Sequence, residues 1–154
     1  MTPLQLRALG PTLGSALLLA AAFAFQHLGG LAPCPLCIWQ RWPHAIAILL
    51  GLAILARPSR GLAALAGLAT LAGAGIGLYH AGIERQWWQG PTTCTAPDPG
   101  AVPAGELLDR IIETPAVLCD AVAWSWLDIS MAGWNALLSL ILALLWFRAA
   151  RAAD

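Results

Sequence analysis

Long apolar segments alternate with short polar ones along the whole chain. Four of these segments are long enough to cross a bilayer as helices, because about 20 apolar residues span its hydrocarbon core. They lie at about residues 12–31, 38–56, 61–81 and 130–147. The pattern therefore predicts an all-α membrane protein, a four-helix transmembrane bundle in which residues 1–154 form a single integral membrane domain.

The composition supports a membrane class. Of the 154 residues, 59% are hydrophobic and only 10% are charged, which is too apolar for a soluble domain of this size. The formal net charge is zero, so we expect no nucleic-acid partner and contact with membrane lipid instead. The first apolar segment could be a secretory signal behind Arg7, but it is long and leads directly into a cysteine motif, which favours a retained span.

Arginines mark one side of the predicted bundle. Arg7 precedes the first span, Arg57 and Arg60 lie between the second and third, and Arg148 and Arg151 follow the fourth. Four crossings bring all five to the same face, which the positive-inside rule makes cytoplasmic. We therefore expect a multi-pass membrane protein with both termini in the cytoplasm, which in a bacterium would be a protein of the inner membrane. The loops at about residues 32–37 and 82–129 would face the oxidising periplasm.

The first of these loops carries a close pair of thiols. Cys34 and Cys37 form a Cys-Pro-Leu-Cys motif, and Cys37 stands at the start of the second span, where a helix N-terminus stabilises a thiolate. Arg41 follows one turn later on the same helical face. An arginine at this depth is costly unless it snorkels outward or serves a site. Its position beside Cys37 favours service in a site that moves electrons to a lipid-soluble acceptor.

The second loop carries the other two cysteines, Cys94 and Cys119. A bond between them would close a loop of about 25 residues, and as a structural staple it would contribute roughly 3.5 kcal/mol. Four spanning helices need no staple, and the prolines after Cys94 predict irregular chain, so a disulfide that exchanges is favoured. Residues 106–113 predict a short interfacial helix lying on the membrane within the same loop.

Other polar and small residues receive structural interpretations. Four thiols could bind zinc, but zinc sites usually pair one Cys-x-x-Cys with another, so we predict no metal site. The glycine-rich run at residues 73–77 predicts close helix packing in the third span. His27 is expected to meet lipid headgroups, and His44 is expected to lie outside any pocket.

At these residues the chain resembles the DsbB family, the bacterial disulfide bond formation proteins, over nearly its whole length. The resemblance rests on three stretches: Pro33 to Cys37 followed by Arg41; Tyr79-His80-Ala81-Gly82-Ile83-Glu84 ahead of Gly90-Pro91 and Cys94; and Cys119-Asp120 followed by Met131-Ala132-Gly133-Trp134-Asn135. It implies a membrane thiol:quinone oxidoreductase that reoxidises a periplasmic DsbA-like thiol oxidase. The electrons would pass to a quinone cofactor, either ubiquinone or menaquinone.

The resemblance also implies roles for individual residues. Cys94 would be attacked by the partner's thiolate to form a transient mixed disulfide, and the released Cys119 would engage the first pair. Cys34 and Cys37 would be the pair that quinone reoxidises, with Cys37 facing the ring. The quinone-binding residues would be Arg41, His80 and Met131, with Trp134 as a further neighbour.

Three alternatives remain open at this point. The chain could be a related enzyme that serves a different soluble partner. The chain could be a structural or partner-binding membrane protein with two inert disulfides. It could also be a relative of vitamin K epoxide reductase, although the active pair of that family belongs to a late span and the pair at Cys34 and Cys37 opens the second.

Overall fold

The computed structural model describes residues 1–91, 94 and 117–151. Within them the chain forms helices α1 (Pro3–His27), α2 (Pro35–Trp39), α3 (Arg41–Ala56), α4 (Arg60–Glu84) and α5 (Met131–Ala150). Two short strands, β1 (Ser125–Trp126) and β2 (Ile129–Ser130), precede α5. The helix predicted at residues 106–113 lies outside the described residues.

Among the described residues, four helical stretches are long and apolar enough to cross a membrane: α1, α2 together with α3, α4 and α5. The predicted four-helix transmembrane bundle is confirmed. The helices extend beyond the apolar segments, since α1 begins at Pro3 rather than near residue 12 and α4 continues to Glu84. Capping explains the early start, because Thr2 and Gln5 form a reciprocal capping box ahead of α1. Gly30, with φ of 68°, lies in the break that ends α1 before residue 31.

Local sequence also determines where α2, the helix at the first cysteine pair, begins. Cys34 is the N-cap of α2, and its sulfur accepts the backbone N–H of Cys37 at 3.2 Å. Pro35 occupies the first helical turn, where its missing N–H costs nothing. The first thiol pair is therefore built into a helix start, with Cys37 in the first turn of the second span.

Small residues let the helices approach closely. A Cβ on Gly77 would lie 3.0 Å from the Ala136 nitrogen and 3.1 Å from the Ala132 carbonyl oxygen of α5, so a larger residue there would force the backbones of α4 and α5 apart. A Cβ on Gly73 would lie 3.0 Å from Pro43. The predicted close packing is confirmed at these two glycines, whereas Gly75 faces open space.

The two ends of the bundle bury different chemistry. One end holds a purely apolar cluster of Leu4, Ala8, Ile54, Ala63, Ala66, Trp146 and Ala149. Arg7, Arg148 and Arg151 surround a recess at that end. The opposite end buries Cys34, Cys94 and Cys119 together with Ile83. The candidate chemistry is thus confined to one end of the bundle.

A small hairpin closes the cysteine end and was not predicted. Its strands pair antiparallel, and both turn residues, Leu127 and Asp128, have positive φ, as a two-residue type I′ turn requires. The Trp134 indole N–H donates to the Trp126 carbonyl at 3.1 Å, and Arg85 Nη2 donates to the Asp128 carbonyl at 2.9 Å. These bonds hold Trp126 over the start of α5.

Candidate functional site

A cavity of about 310 Å³ opens among the helices at the cysteine end. Its walls are mainly aliphatic and aromatic, with a few polar groups that converge from different helices. Six of the residues predicted for the site or its border line it: Cys34, Cys37, Arg41, His80, Met131 and Trp134. A mostly apolar cavity of this size, with a few polar groups, is typical of a site for a small organic molecule.

The first thiol pair forms one wall of this cavity. The Cys34 thiol donates a hydrogen bond to Cys37 Sγ, with 2.8 Å between the sulfur atoms. Cys34 is buried, whereas Cys37 is half-buried. The hydrogen bond to Cys37, together with burial, raises the pKa of the Cys34 thiol. Cys34 therefore keeps its proton, and Cys37 carries the negative charge when the pair ionises.

Arg41 reaches the cavity from the first turn of α3. Its Nη1 donates to Gln26 Oε1 at 2.7 Å, and its guanidinium carbon lies 4.8 Å from the centre of the Phe23 ring. Among the described residues, the buried Nε atom has no hydrogen-bond partner. A buried donor without a partner is costly, so this atom indicates a place for an acceptor on a bound molecule.

His80 joins the thiol pair to other polar groups. Its Nε2 lies 3.6 Å from Cys34 Sγ and 4.0 Å from Glu84 Oε1, and its Nδ1 lies 2.8 Å from Gln40 Nε2. The ring also interacts with the backbone of Cys119. His80 is 3% exposed, so it lies at the junction of the two cysteine pairs rather than at the lipid surface.

The second cysteine pair is bonded and lies directly beside the first. Cys94 and Cys119 form a disulfide with their Cα atoms 5.0 Å apart, and the Cys119 N–H donates to the Cys94 carbonyl at 2.6 Å. Both residues pack with Cys34 and Ile83 in one buried cluster. Among the described residues that line the cavity, neither Cys94 nor Cys119 is found. Two loops that are separate in sequence therefore bring all four cysteines together.

Comparison with known proteins decides the family. The family model for "Disulfide bond formation protein DsbB" matches residues 6–149. The chain belongs to the DsbB family. Disulfide bond formation protein B of Herminiimonas arsenicoxydans is 34% identical over 143 residues, covering 88% of this chain and 82% of the relative. The protein of the same name from Verminephrobacter eiseniae is 37% identical over 150 residues, with the same coverage.

A further relative, disulfide bond formation protein B 2 of Pseudomonas aeruginosa, is 34% identical over 144 residues, covering 88% of this chain and 85% of its own length. No solved structure gives a significant match. Family membership confirms a disulfide-forming membrane protein and an oxidoreductase of the DsbB kind. Membership of this family implies that the protein interacts with a partner that itself handles disulfides.

The prediction that His44 lies outside the pocket was wrong. His44 lines the cavity of this DsbB-family protein, and its Nε2 lies 3.0 Å from Asn135 Oδ1. The physical reason is that a polar side chain in a span turns toward the bundle interior, where it finds a partner. His44 follows Gln40 by four residues and thus shares its helical face, a signal that the sequence contained.

Sequence reasoning missed three further polar residues of this site. Gln40, Glu84 and Asn135 all line the cavity. Asn135 Nδ2 donates to Gln40 Oε1 at 2.8 Å, and the Ser130 hydroxyl donates to Glu84 Oε2. For Gln40 and Asn135 the available signal was a polar residue inside a predicted span, because intramembrane polar groups mark functional positions by default. Glu84 lies beyond the predicted end of the third span, at about residue 81, so this signal did not extend to it.

Proposed function

We propose that this DsbB-family protein reoxidises a periplasmic DsbA-type thiol oxidase and passes two electrons to a membrane quinone, either ubiquinone or menaquinone. The packing of both cysteine pairs in one buried cluster beside an apolar cavity is the observation that carries the proposal. Cysteine pairs in contact can exchange disulfides, and an apolar cavity next to Cys37 suits a lipid-soluble ring.

The proposed reaction begins at the second pair. The partner's thiolate attacks Cys94 Sγ, the bond between Cys94 and Cys119 breaks, and Cys119 leaves as a thiolate. The partner's second thiol then displaces Cys94, so the partner departs with its own disulfide. The two electrons left on the second pair reduce a disulfide between Cys34 and Cys37, and the resulting dithiol gives two electrons and two protons to quinone.

The residues of the cavity fit a quinone. Arg41 has a buried Nε donor without a partner among the residues that the structure describes, and a guanidinium beside a quinone oxygen would stabilise negative charge that develops there. His80 and Met131 would border the ring from α4 and α5. When bound, the quinone supplies the electron acceptor, while Cys37 supplies the sulfur that faces it.

The direction of electron flow is reasonable on known potentials. A DsbA-type oxidase is strongly oxidising, at about −120 mV, so its reoxidation needs an acceptor of higher potential, such as a respiratory quinone. For a two-electron couple, every 30 mV of difference supplies about 1.4 kcal/mol. The proposed transfer therefore runs downhill without any other energy source.

Orientation in the membrane follows from charge. Arg7, Arg148 and Arg151 lie at the end opposite the cysteines, and the positive-inside rule favours the cytoplasm for that end. We therefore propose that both termini are cytoplasmic in a bacterial inner membrane and that the cysteine end faces the periplasm. Cys94 is only 2% exposed, so docking of the partner must open the cysteine cluster before attack.

The test is an anaerobic reaction of the purified full-length protein with reduced DsbA-type oxidase and a quinone, followed by quinone absorbance. We expect quinone to be consumed in proportion to the partner oxidised, with no consumption by Cys94→Ser or Cys37→Ser. If the quinone absorbance does not change with the wild-type protein, the proposal is wrong, and two inert disulfides in a structural membrane protein become the better interpretation.

A further inference from the structure

A continuous series of hydrogen bonds connects three spans at the cysteine end of the bundle. His44 Nε2 lies 3.0 Å from Asn135 Oδ1, and Asn135 Nδ2 lies 2.8 Å from Gln40 Oε1. Gln40 Nε2 lies 2.8 Å from His80 Nδ1. From His80 Nε2 the series continues over 3.6 Å to Cys34 Sγ, and then over 2.8 Å to Cys37 Sγ.

The direction of these bonds is fixed at both ends. Gln40 Nε2 lies 3.3 Å from the Leu36 carbonyl, which can only accept, so the NH₂ group of Gln40 is on that side. Gln40 Oε1 must then accept from Asn135, and Asn135 Oδ1 must accept from His44. At the far end, His44 Nδ1 is buried without a partner among the described residues. Leaving Nδ1 without a proton, as an unused acceptor, costs less than burying an N–H that has no acceptor. The proton of the neutral His44 ring is therefore expected on Nε2, where it can be donated to Asn135 Oδ1.

The same direction determines the tautomer of His80. Its Nδ1 accepts from Gln40, so the neutral ring carries its proton on Nε2, which faces Cys34 Sγ. Cys34 Sγ then receives two N–H donors, from His80 and from the Cys37 backbone. Its own thiol proton remains for Cys37 Sγ. Every donor in the series thus points toward Cys37.

We propose that Gln40 and Asn135 are positioning residues that hold His80 as its Nε2–H tautomer and thereby direct the Cys34 thiol proton onto Cys37 Sγ. The consequence rests on the proposed function, in which Cys37 is the sulfur that faces the quinone. A hydrogen bond from Cys34 favours the Cys37 thiolate, which is the reactive form.

The position of the proton on His80 also indicates whether the group of Cys34, Cys37 and His80 is arranged for redox chemistry or for binding a metal. The ligand atoms of Cys34, Cys37 and His80 lie within 4.8 Å of one another, a spacing that zinc could use. A zinc ligand needs a lone pair on the histidine nitrogen that faces the sulfurs, but the Gln40 bond puts a proton there. The group is therefore arranged for hydrogen bonding to sulfur.

Other charged or titratable groups face Cys37 and are not themselves substituted in the alkylation test. They are Arg41 on the same span and Glu84 and His80 on α4. A change in Cys37 reactivity after substitution of Gln40 therefore reports on the hydrogen-bond series. Arg41 and Glu84 contribute equally to the wild type and to its variants, whereas the contribution of His80 changes through its tautomer, which is the effect under test.

The first measurement needs no substitution. NMR of the full-length protein with ring-labelled histidine separates protonated from bare ring nitrogens, and the chain has only three histidines. We expect the His80 signal, assigned by its loss in His80→Phe, to show a protonated Nε2 and a bare Nδ1 at neutral pH. A bare Nε2 in the wild-type protein would overturn the proposal.

The second measurement follows alkylation of Cys37 as a function of pH in the reduced full-length protein. Fragment-ion mass spectrometry distinguishes Cys37 from Cys34. In Gln40→Met, the alkylation rate at neutral pH should fall about tenfold, since the hydrogen bond from Cys34 that favours the Cys37 thiolate is weakened. The pH of half-maximal rate should rise, and Asn135→Leu should act in the same direction by a smaller factor.

Thr70→Val is the matched control. Thr70 is buried in α4, and within the described part of the chain it donates only to carbonyls of its own helix, so its substitution perturbs the bundle without touching the series. Its alkylation profile should match the wild type. A wild-type profile for Gln40→Met would overturn the proposal, as would an equal shift in Thr70→Val. Neither measurement contains quinone or partner, so its outcome is independent of the test of the proposed function.

Discussion

The two ends of this bundle are made from the same four helices but bury opposite kinds of side chain. At the end that carries Arg7, the core is Leu4, Ile54, Trp146 and small residues, and it provides packing. At the other end, the helices bury thiols, imidazoles and amides around a cavity. Buried polar groups in a membrane are costly, so their concentration at one end distinguishes the site from its scaffold.

The largest expected effect is at the cysteine end. Cys37→Ser replaces one atom, so it should leave the bundle intact while reducing quinone consumption to the background rate. The physical reason is that serine offers no sulfur to accept or pass on electrons. Anaerobic quinone absorbance measures the loss, and the thermal unfolding midpoint serves as control. Wild-type turnover would remove Cys37 from the proposed reaction.

A substitution at the apolar end should have the opposite signature. Ile54→Ala should lower the free energy of unfolding by about 2–5 kcal/mol, because Ile54 is fully buried and a cavity would remain. The protein that stays folded should keep its quinone turnover. Leu52→Ala, at a position 54% exposed, is the control for unfolding in detergent. Equal stability of the two variants would contradict the assignment of this end as scaffold.

Arg41→Met should separate quinone use from partner exchange. It removes the spare Nε donor, so we expect the apparent KM for quinone to rise about tenfold or more, which corresponds to a charged hydrogen bond of about 1.5–3 kcal/mol. Reaction of Cys94 with the partner, measured by trapping the mixed disulfide, should be unchanged. Arg57→Met at the opposite end is the control. An unaltered KM would argue against Arg41 as a quinone contact.

The smallest effect is expected at the border of the cavity. Met131→Ala removes apolar surface from the wall of the cavity, and the apparent KM for quinone should rise roughly threefold. The rise is small because a fully buried methylene contributes about 0.8 kcal/mol and the Met131 side chain would contact the quinone only in part. Steady-state kinetics at saturating partner measures it. Leu137→Ala, which changes an exposed residue of α5, should leave KM unaltered, and a similar rise there would point to a general packing effect.

The sequence predicted the parts of this molecule that depend on local composition. Apolar length alone defines the four spans, and Cys37 could be placed at the start of the second span, although the helix begins two residues earlier, at Pro35. Arg41 could be assigned to the site because it stands one turn from Cys37. These features depend on residues that are close together in the sequence, so they can be predicted without knowing how the helices rotate against one another.

Contacts between distant spans could not be predicted in the same way. The bond of Gln40 with Asn135 joins residues 95 positions apart, and it depends on the rotation of two helices. His44 was misassigned for the same reason. The hairpin was not predicted because each of its strands has only two residues, too few to show an alternating pattern of apolar and polar positions.

The central claim is that the two cysteine pairs form one relay, and a trapping experiment tests it most directly. In the double variant Cys37→Ser with Cys94→Ser, only Cys34 and Cys119 remain as thiols in the full-length protein. Because these two residues pack in one buried cluster, mild oxidation should join them in a disulfide, visible as the loss of two alkylation sites. If both thiols remain fully alkylatable under conditions that oxidise the wild-type protein, the two pairs do not meet and the relay is excluded.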